Sequence, residues 1–370
     1  MDFTLSEEQQ ELQGLAKQIL GDRMPLTHLR ELDNSEDWFD RETWAELAKA
    51  NLLGVALPED IGGLGFGFLE LCLILVEQGR TVAPLPLIHT LVSVALPIAE
   101  FGTPEQRKEL AGVISGDLVF TSAFNELGTP ADEPQTIAER SGEGWRITGE
   151  KVNVPQAHIA DGILVPARVG EDVGLFLVWP KADGVTFERQ ETMNHEPQFV
   201  VKLDGVEVTD AARVGEIADG RANLRWVLDR TMTAICAITA GATQEALRIT
   251  AEYTTTRKQF DRAIGTFQAV GQRMADSYID TEAINLTMLQ AATHLAQDEA
   301  SPTEVATAKY WAAEGGSRVV HAALHVHGGI SIDLDYPIHR YFLWVKQAEF
   351  TLGAATPSLR DLGRMIAASA

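Results

Sequence analysis

The chain has 370 residues, 45% hydrophobic and 22% charged, enough for two or three packed units and too apolar for wholesale disorder. Lys and Arg number 30 against 53 Asp and Glu, and the formal charge of −23 repels a phosphate backbone, which argues against a nucleic-acid partner. No run of about 18 apolar residues offers a membrane span, and the acidic start Met1-Asp2-Phe3-Thr4-Leu5-Ser6-Glu7-Glu8 lacks the basic and apolar segments of a signal peptide, so the expectation is a cytoplasmic protein.

Residues 1–115 read as an N-terminal helical domain. Ser6 and Gln9 have the form of a capping box, and Leu12, Leu15, Ala16, Ile19 and Leu20 follow at helical spacing. Further helices fit 41–51, 68–78 and 91–101, with Pro84 and Pro86 separating the last two. Thr103 before Pro104 looks like a cap with proline at the first helical position. Cys72 and Cys236 sit far apart in apolar stretches and read as buried structural thiols.

The character changes near Gly116. From 116 to 220 short apolar runs are broken by Gly, Pro and Asp, the pattern of a β-barrel-like middle domain, and Asp204-Gly205 between two such runs is a hairpin signal. From 221 to 370 the helical period returns over 222–254, 267–297, 302–326 and 337–367, which predicts a C-terminal four-helix bundle. The first of these is apolar nearly all round through Ile235, Cys236, Ala237 and Ile238, so it is expected to pack against another subunit. The whole is an α+β chain in the order helices, strands, helices.

The connector 252–268 carries Arg257, Phe260 and Gln268 in the spacing R-x-x-F-x7-Q, and His325 precedes Gly328 and Gly329. With the helix–β–helix order, these motifs closely resemble the acyl-CoA dehydrogenase family, and the resemblance covers essentially the whole chain. It implies that Arg257, Phe260, Gln268, His325, Gly328 and Gly329 contact the FAD of a neighbouring subunit. A guanidinium suits pyrophosphate oxygens, and glycines permit close backbone approach. His325 stands where the family pattern has Gln. His321, His325 and His327 lie close in sequence and pose a metal site as the competing idea, without a Cys or acidic ligand nearby. The loop Pro58-Glu59-Asp60-Ile61-Gly62-Gly63-Leu64-Gly65 also resembles the family and reads as a structural turn, since it is no dinucleotide fingerprint.

Removing an α-proton from an acyl thioester needs a placed carboxylate. The resemblance puts the family's general base at one of two positions, and this chain has Ala354 at the one in the last bundle helix and Thr231 at the one in the first. Asp229 lies roughly 200° around the helix from Thr231, and Glu349 about 140° from Ala354 on the same geometry. In the middle domain, Ser122 to Thr129 and Asn153-Val154-Pro155 replace segments that seat a subunit's own flavin in the family. Losses confined to this chain's own site, with neighbour-facing residues kept, resemble the non-catalytic subunit of actinobacterial heterotetrameric (α2β2) steroid acyl-CoA dehydrogenases. That implies a homologous catalytic partner, a bulky acyl-CoA substrate in the partner's site and an electron-transfer flavoprotein as acceptor. Two other readings stand beside it: a self-sufficient dehydrogenase with a relocated base, and a flavin-free structural protein of the same fold.

Overall fold

The computed structural model describes residues 3–299 and 301–369. Helices come first: α1 (Glu7–Arg23), α2 (Leu26–Asp33), α3 (Arg41–Lys49), α4 (Phe68–Thr81), a π-helical stretch Ile88–Ala95 running into α5 (Leu96–Phe101), and α6 (Pro104–Ile114). Ser6 and Thr103 each form a capping box, with Gln9 and Gln106, as their spacing predicts. The strands are β1 (Phe120–Ser122), β2 (Ile137–Ser141), β3 (Gly144–Pro155), β4 (Gly162–Val169), β5 (Asp172–Val178), β6 (Val185–Gln190), β7 (Gln198–Thr209) and β8 (Arg213–Val214). They form one eight-stranded sheet in the order β6-β7-β3-β2-β4-β5-β8, with β1 parallel to β4. Then follow α7 (Gly220–Thr256), the two-stranded ribbon β9 (Lys258–Gln259) and β10 (Arg262–Ala263), α8 (Gln268–Ala296), α9 (Pro302–His327), α10 (Ile338–Phe350) and α11 (Ala355–Ser369).

The described chain divides into two compact units that are discontinuous in sequence. One unit holds the residues up to Arg30, Phe68–Ala83 and those from Met232 onward; the other holds Glu31–Gly67 and Pro84–Thr231. In the second, Trp145, Ile147, Val165, Phe176, Phe199 and Val201 form the sheet's core. In the first, α8 packs on α9, and α9 in turn on α10 and α11. No helix among the described residues is long and apolar enough to cross a membrane.

Three expectations are corrected here. Asp204-Gly205 is no hairpin turn: β7 runs straight through it, and the register slips between Ile147/Val206 and Gly149/Leu203. Gly205 at φ 64 supplies the left-handed residue of a β-bulge. The helix expected over 337–367 is two helices, α10 and α11, broken where Leu352 and Gly353 take φ 53 and 102. Ala354 therefore lies in a break, not on a helix, and the helical angle reckoned from it to Glu349 does not apply. Finally, the apolar stretch of α7 needs no second subunit. Ile235 and Ile238 are buried within this chain, Cys236 and Ala237 wholly so. A side chain at Gly79 would meet Ile238 O at 2.0 Å, and one at Gly241 would meet Val76 O at 1.8 Å, so α4 and α7 touch backbone to backbone. Both cysteines are buried free thiols, and burial pushes that of Cys236 up to about 12.

Candidate functional site

The connector after α7 is a tight ribbon. Arg257 ends the helix, its N–H donating to Tyr253 O at 2.9 Å, and Ile264 N donates back to Arg257 O at 2.9 Å. Arg262 and Ala263 pair with Gln259 and Lys258, so Phe260 and Asp261 form the two-residue turn, at φ 52 and 62. That is the left-handed turn geometry that Asn-Gly normally fills; for a phenylalanine it costs about 1–2 kcal/mol. Phe260 is nevertheless 88% exposed. Its ring touches Phe267 edge-on at 6.2 Å, and the Arg262 guanidinium lies 4.0 Å above the Phe267 ring. Arg257 is exposed, and among the described residues no carboxylate lies within ion-pair distance of it. Gln268, also exposed, opens α8.

The end of α9 converges on the same region through aromatic packing. His327 stacks on Tyr253, one turn before Arg257, with ring centroids 4.4 Å apart. Its Nδ1 meets Ala323 O at 2.8 Å and its Nε2 meets the Tyr336 hydroxyl at 3.1 Å. Burial lowers the pKa of His327, which suits a neutral ring in this packing. The residue is thus a strut between α7, α9 and the following loop. Gly328 then takes φ 62 and ψ −138, a conformation that side-chain-bearing residues avoid, and a Cβ at Gly328 or Gly329 would meet nothing within 4 Å. Open space beside exposed backbone is what a close-lying ligand requires.

His325 lies elsewhere: it faces a cleft of ≈ 560 Å³ lined by Arg273, Asp276, Ser277, Ile279 and Asp280 of α8 and by Arg318, His321 and Ala322 of α9. Its Nδ1 contacts the Arg273 guanidinium. His321 bonds Ser317 O at 2.7 Å and packs edge-on against Phe342. The three imidazoles are separately engaged, and no group of three His, Cys, Asp or Glu among the described residues could hold a metal ion. Of the residues singled out from sequence, Arg257, Phe260 and Gln268 gather at the start of α8, and His325, Gly328 and Gly329 at the end of α9. Tyr253, Tyr336 and Arg273 were missed. Only Arg273 carried a signal, as a further base in a segment already holding Arg257, Lys258 and Arg262.

The two positions where a base was sought hold no acid. Thr231 is buried, its hydroxyl donating to Val227 O at 2.8 Å and lying 3.1 Å from that of Ser93 on the π-helical stretch. Asp229 pairs instead with Arg225 at 2.9 Å; burial raises its pKa against the pull of that arginine. Ala354 accepts bonds only through its carbonyl, from Ser358. Glu349 is held by Lys346 at 2.5 Å, while the fully buried Lys309 donates to Ala348 O at 2.7 Å and fixes the end of α10. In the sheet unit the loop after β1 is closed internally. The Glu126 carboxylate accepts from Lys151 Nζ at 2.6 Å, Gln135 N at 2.7 Å and Thr136 N at 3.0 Å. Lys151, fully buried, also donates to Pro166 O at 2.8 Å, and burial pushes its pKa down to about 8. Asn153 takes φ 52 at a bulge, and its N–H donates to Gln190 Oε1 at 2.9 Å.

Comparison with known proteins returns one family. Residues 6–117 match "Acyl-CoA dehydrogenase, N-terminal domain" and residues 218–366 match "Acyl-CoA dehydrogenase, C-terminal domain". The chain is 41% identical to acyl-CoA dehydrogenase FadE27 of Mycobacterium tuberculosis, over 99% of both proteins. Among solved structures it is similar to a chain of the ChsE4-ChsE5 complex from Mycobacterium tuberculosis, with TM-score 0.94, 42% identity and 99% of each chain covered. A chain of the Tcur3481-Tcur3483 steroid ACAD matches with TM-score 0.93 and 46% identity, again over 99% of each.

Proposed function

This chain belongs to the acyl-CoA dehydrogenase family, and we propose that within it the chain is the non-catalytic subunit of a two-chain, flavin-dependent enzyme. It holds a flavin seated in a homologous partner and has no general base of its own. The observation that carries this reading is the pair of base positions. One is an alanine in a helix break, the other a threonine whose hydroxyl is already committed to Val227 and Ser93. The acids nearest in sequence, Glu349 and Asp229, are tied to Lys346 and Arg225.

FAD is the cofactor the family implies, and the residues at the starts of the ribbon and of α8 fit its charged middle. Arg257 offers planar charged donors without a competing carboxylate, Gln268 offers an exposed amide, and Gly328 and Gly329 leave room beside their backbone. Phe260 supplies an exposed ring. When bound, FAD supplies the two-electron oxidant for α,β-dehydrogenation of an acyl thioester. The α-proton must leave to a carboxylate, and neither Ala354 nor Thr231 provides one. The residues that would seat a flavin in the sheet unit fit poorly. Pro155 has no N–H, its carbonyl accepts from Thr121 Oγ1 at 2.6 Å, and the N–H of Asn153 is taken by Gln190.

The partner surface is read from exposed apolar side chains of the bundle unit: Tyr278, Ile279 and Leu286 on α8, and Leu359 and Ile366 one heptad apart on α11. The similarity to a chain of the ChsE4-ChsE5 complex and to a chain of a steroid ACAD supports a two-chain assembly acting on a steroid acyl-CoA. The α2β2 stoichiometry, the side-chain thioester in the partner's site, the electron-transfer flavoprotein as acceptor and the cytoplasmic location are carried into this proposal from the family resemblance and the sequence. The test is to purify the chain alone and with its partner and record flavin absorbance. Flavin retained only in the complex supports the reading; flavin held by the chain alone favours a self-sufficient enzyme; no flavin in either favours a structural role.

A further inference from the structure

We propose that His158 is a proton-sensitive latch, whose neutral ring helps pin the strained segment 36–38 to the sheet and whose protonation lets that segment go. The segment joins α2 to α3 and lies, with His158, in the sheet unit. Trp38 is buried yet takes φ 48, a left-handed conformation that a bulky residue keeps only where its neighbours over-determine it. Side chains from the sheet do this. Arg189 on β6 donates to Glu36 O at 3.2 Å, and Gln156 in the turn after β3 donates to Trp38 O at 3.4 Å. His158, in that same turn, places Nε2 3.9 Å from Asp37 Oδ1 and packs its ring on Phe199 of β7, with centroids 5.1 Å apart. The guanidinium and the amide keep one charge state between pH 5 and 8, whereas an imidazole does not.

The direction of the switch follows from what surrounds the ring. Both of its nitrogens are buried without a hydrogen-bond partner among the described residues, so the packed site offers a charged ring no bond in exchange for lost water. The charged groups acting on it are Asp37 and Glu36 on the segment, which favour a proton, and Arg189 on β6, which opposes one. Asp37 stands beyond hydrogen-bond reach, is about half exposed and already bonds Arg41 at 3.1 Å. Burial therefore outweighs the carboxylates and holds the His158 pKa below its ordinary 6.5. A ring released into water binds the proton more tightly than the packed ring does. The latch is closed above that value, and opening is favoured as pH falls below it.

Hydrogen exchange of the full chain at pH 7.5 and 5.5, corrected for intrinsic rates, reads the segment directly. The Trp38 N–H, bonded to Ser35 Oγ at 3.0 Å, is the reporter, and β4 and β5 are the internal reference. In wild type, exchange over 36–40 should rise several-fold at pH 5.5, within the roughly tenfold per pH unit that one proton allows, while β4 and β5 hold steady. H158F keeps a ring on Phe199 without a titrating nitrogen and should stay closed at both pH values. H158Q, uncharged at both, takes its place if H158F does not fold. Wild-type exchange that ignores pH overturns the latch, and so does exchange that slows at pH 5.5 because Asp37 pairs with the charged ring. A rise of the same size in the variant overturns it as well. A matching rise in β4 and β5 assigns the change to acid unfolding of the whole unit and overturns it too.

Discussion

The α8–α9 end of the bundle unit and the polar interior of the sheet unit treat the same kinds of side chain in opposite ways. In the sheet unit two polar clusters are closed internally: Glu126 by Lys151 and two backbone N–H groups, Thr231 by Val227 and Ser93. At the bundle end, Arg257 and Gln268 are exposed, Phe260 and Asp261 hold a strained turn, and Gly328 faces open space. A buried polar group costs several kcal/mol unless it is satisfied, and these two clusters are satisfied by their own neighbours, although Thr136 Oγ1 and both His158 ring nitrogens in the same unit are buried without a hydrogen-bond partner among the described residues. A strained backbone persists where the surrounding structure holds it, and the exposed donors beside it remain available to a ligand. The comparison separates what this chain keeps for its own stability from what, under the proposed function, it offers to another molecule.

The largest test of that separation is Lys151→Met. Removing the ammonium leaves the Glu126 carboxylate buried without its ion-pair partner, and breaking a buried pair this way costs about 3–5 kcal/mol. Denaturant unfolding should report that loss, while FAD affinity of any surviving complex stays at the wild-type level. A fall in flavin affinity with stability intact would erase the distinction. Next in size is Arg257→Ala, which should loosen FAD by about 1.5–3 kcal/mol, the worth of a charge-assisted bond, with the subunits still associated. Equilibrium dialysis measures it, and an unchanged affinity removes Arg257 from the site.

A pH series sharpens the comparison from the stability side. Burial works against ionisation of Glu126, but the Lys151 charge and the bonds from Lys151 and Thr136 outweigh it and hold its pKa below the ordinary 4.5. Its contribution is therefore present above that value and is lost as pH falls through the folded pKa. Lys309 runs the other way. Burial lowers it from 10.5 to about 8, so the unfolded chain binds the extra proton between those values and stability rises as pH climbs through the window. Lys309→Met should flatten that alkaline rise and leave the acid limb unchanged; unfolding curves from pH 3 to 11 decide it. The smallest effects are expected at the base positions. Thr231→Val should cost about 0.5–1.5 kcal/mol for the lost hydroxyl bonds and leave turnover of the complex intact. Asp229→Asn, Glu349→Gln and Ala354→Glu should each leave kcat within a few-fold. A collapse of kcat at full flavin occupancy in either amide variant would return the base to this chain.

Local signals carried much of the fold. Ser6 with Gln9 and Thr103 with Gln106 specify their own helix starts, and the apolar runs at 163–165, 175–179 and 199–203 fall in β4, β5 and β7. The short helix α2 escaped because its eight residues make little more than two turns, shorter than the window over which helical periodicity is read, although Leu26, Leu29 and Leu32 repeat every three residues. Asp204-Gly205 misled because a left-handed glycine serves a bulge as readily as a hairpin, and only the partner strand's register tells them apart. The connector 257–268 was legible as a motif, but its turn at Phe260-Asp261 was not, since neither residue announces positive φ.

Sequence alone determined the order of helices and strands, the family, and the absence of a carboxylate at 231 and 354, because each is a matter of residue identity and local spacing. Only the tertiary structure decided where α7 buries its apolar face. Gly79 and Gly241 look ordinary in the sequence, yet their missing side chains let α4 lie against α7 and cover Ile238 without a second subunit. It likewise decided that His327 is a packed strut while His325 opens onto a cleft with Arg273. Two residues apart on one helix, they point roughly 200° from each other, and what each meets there is set by chain segments distant in sequence.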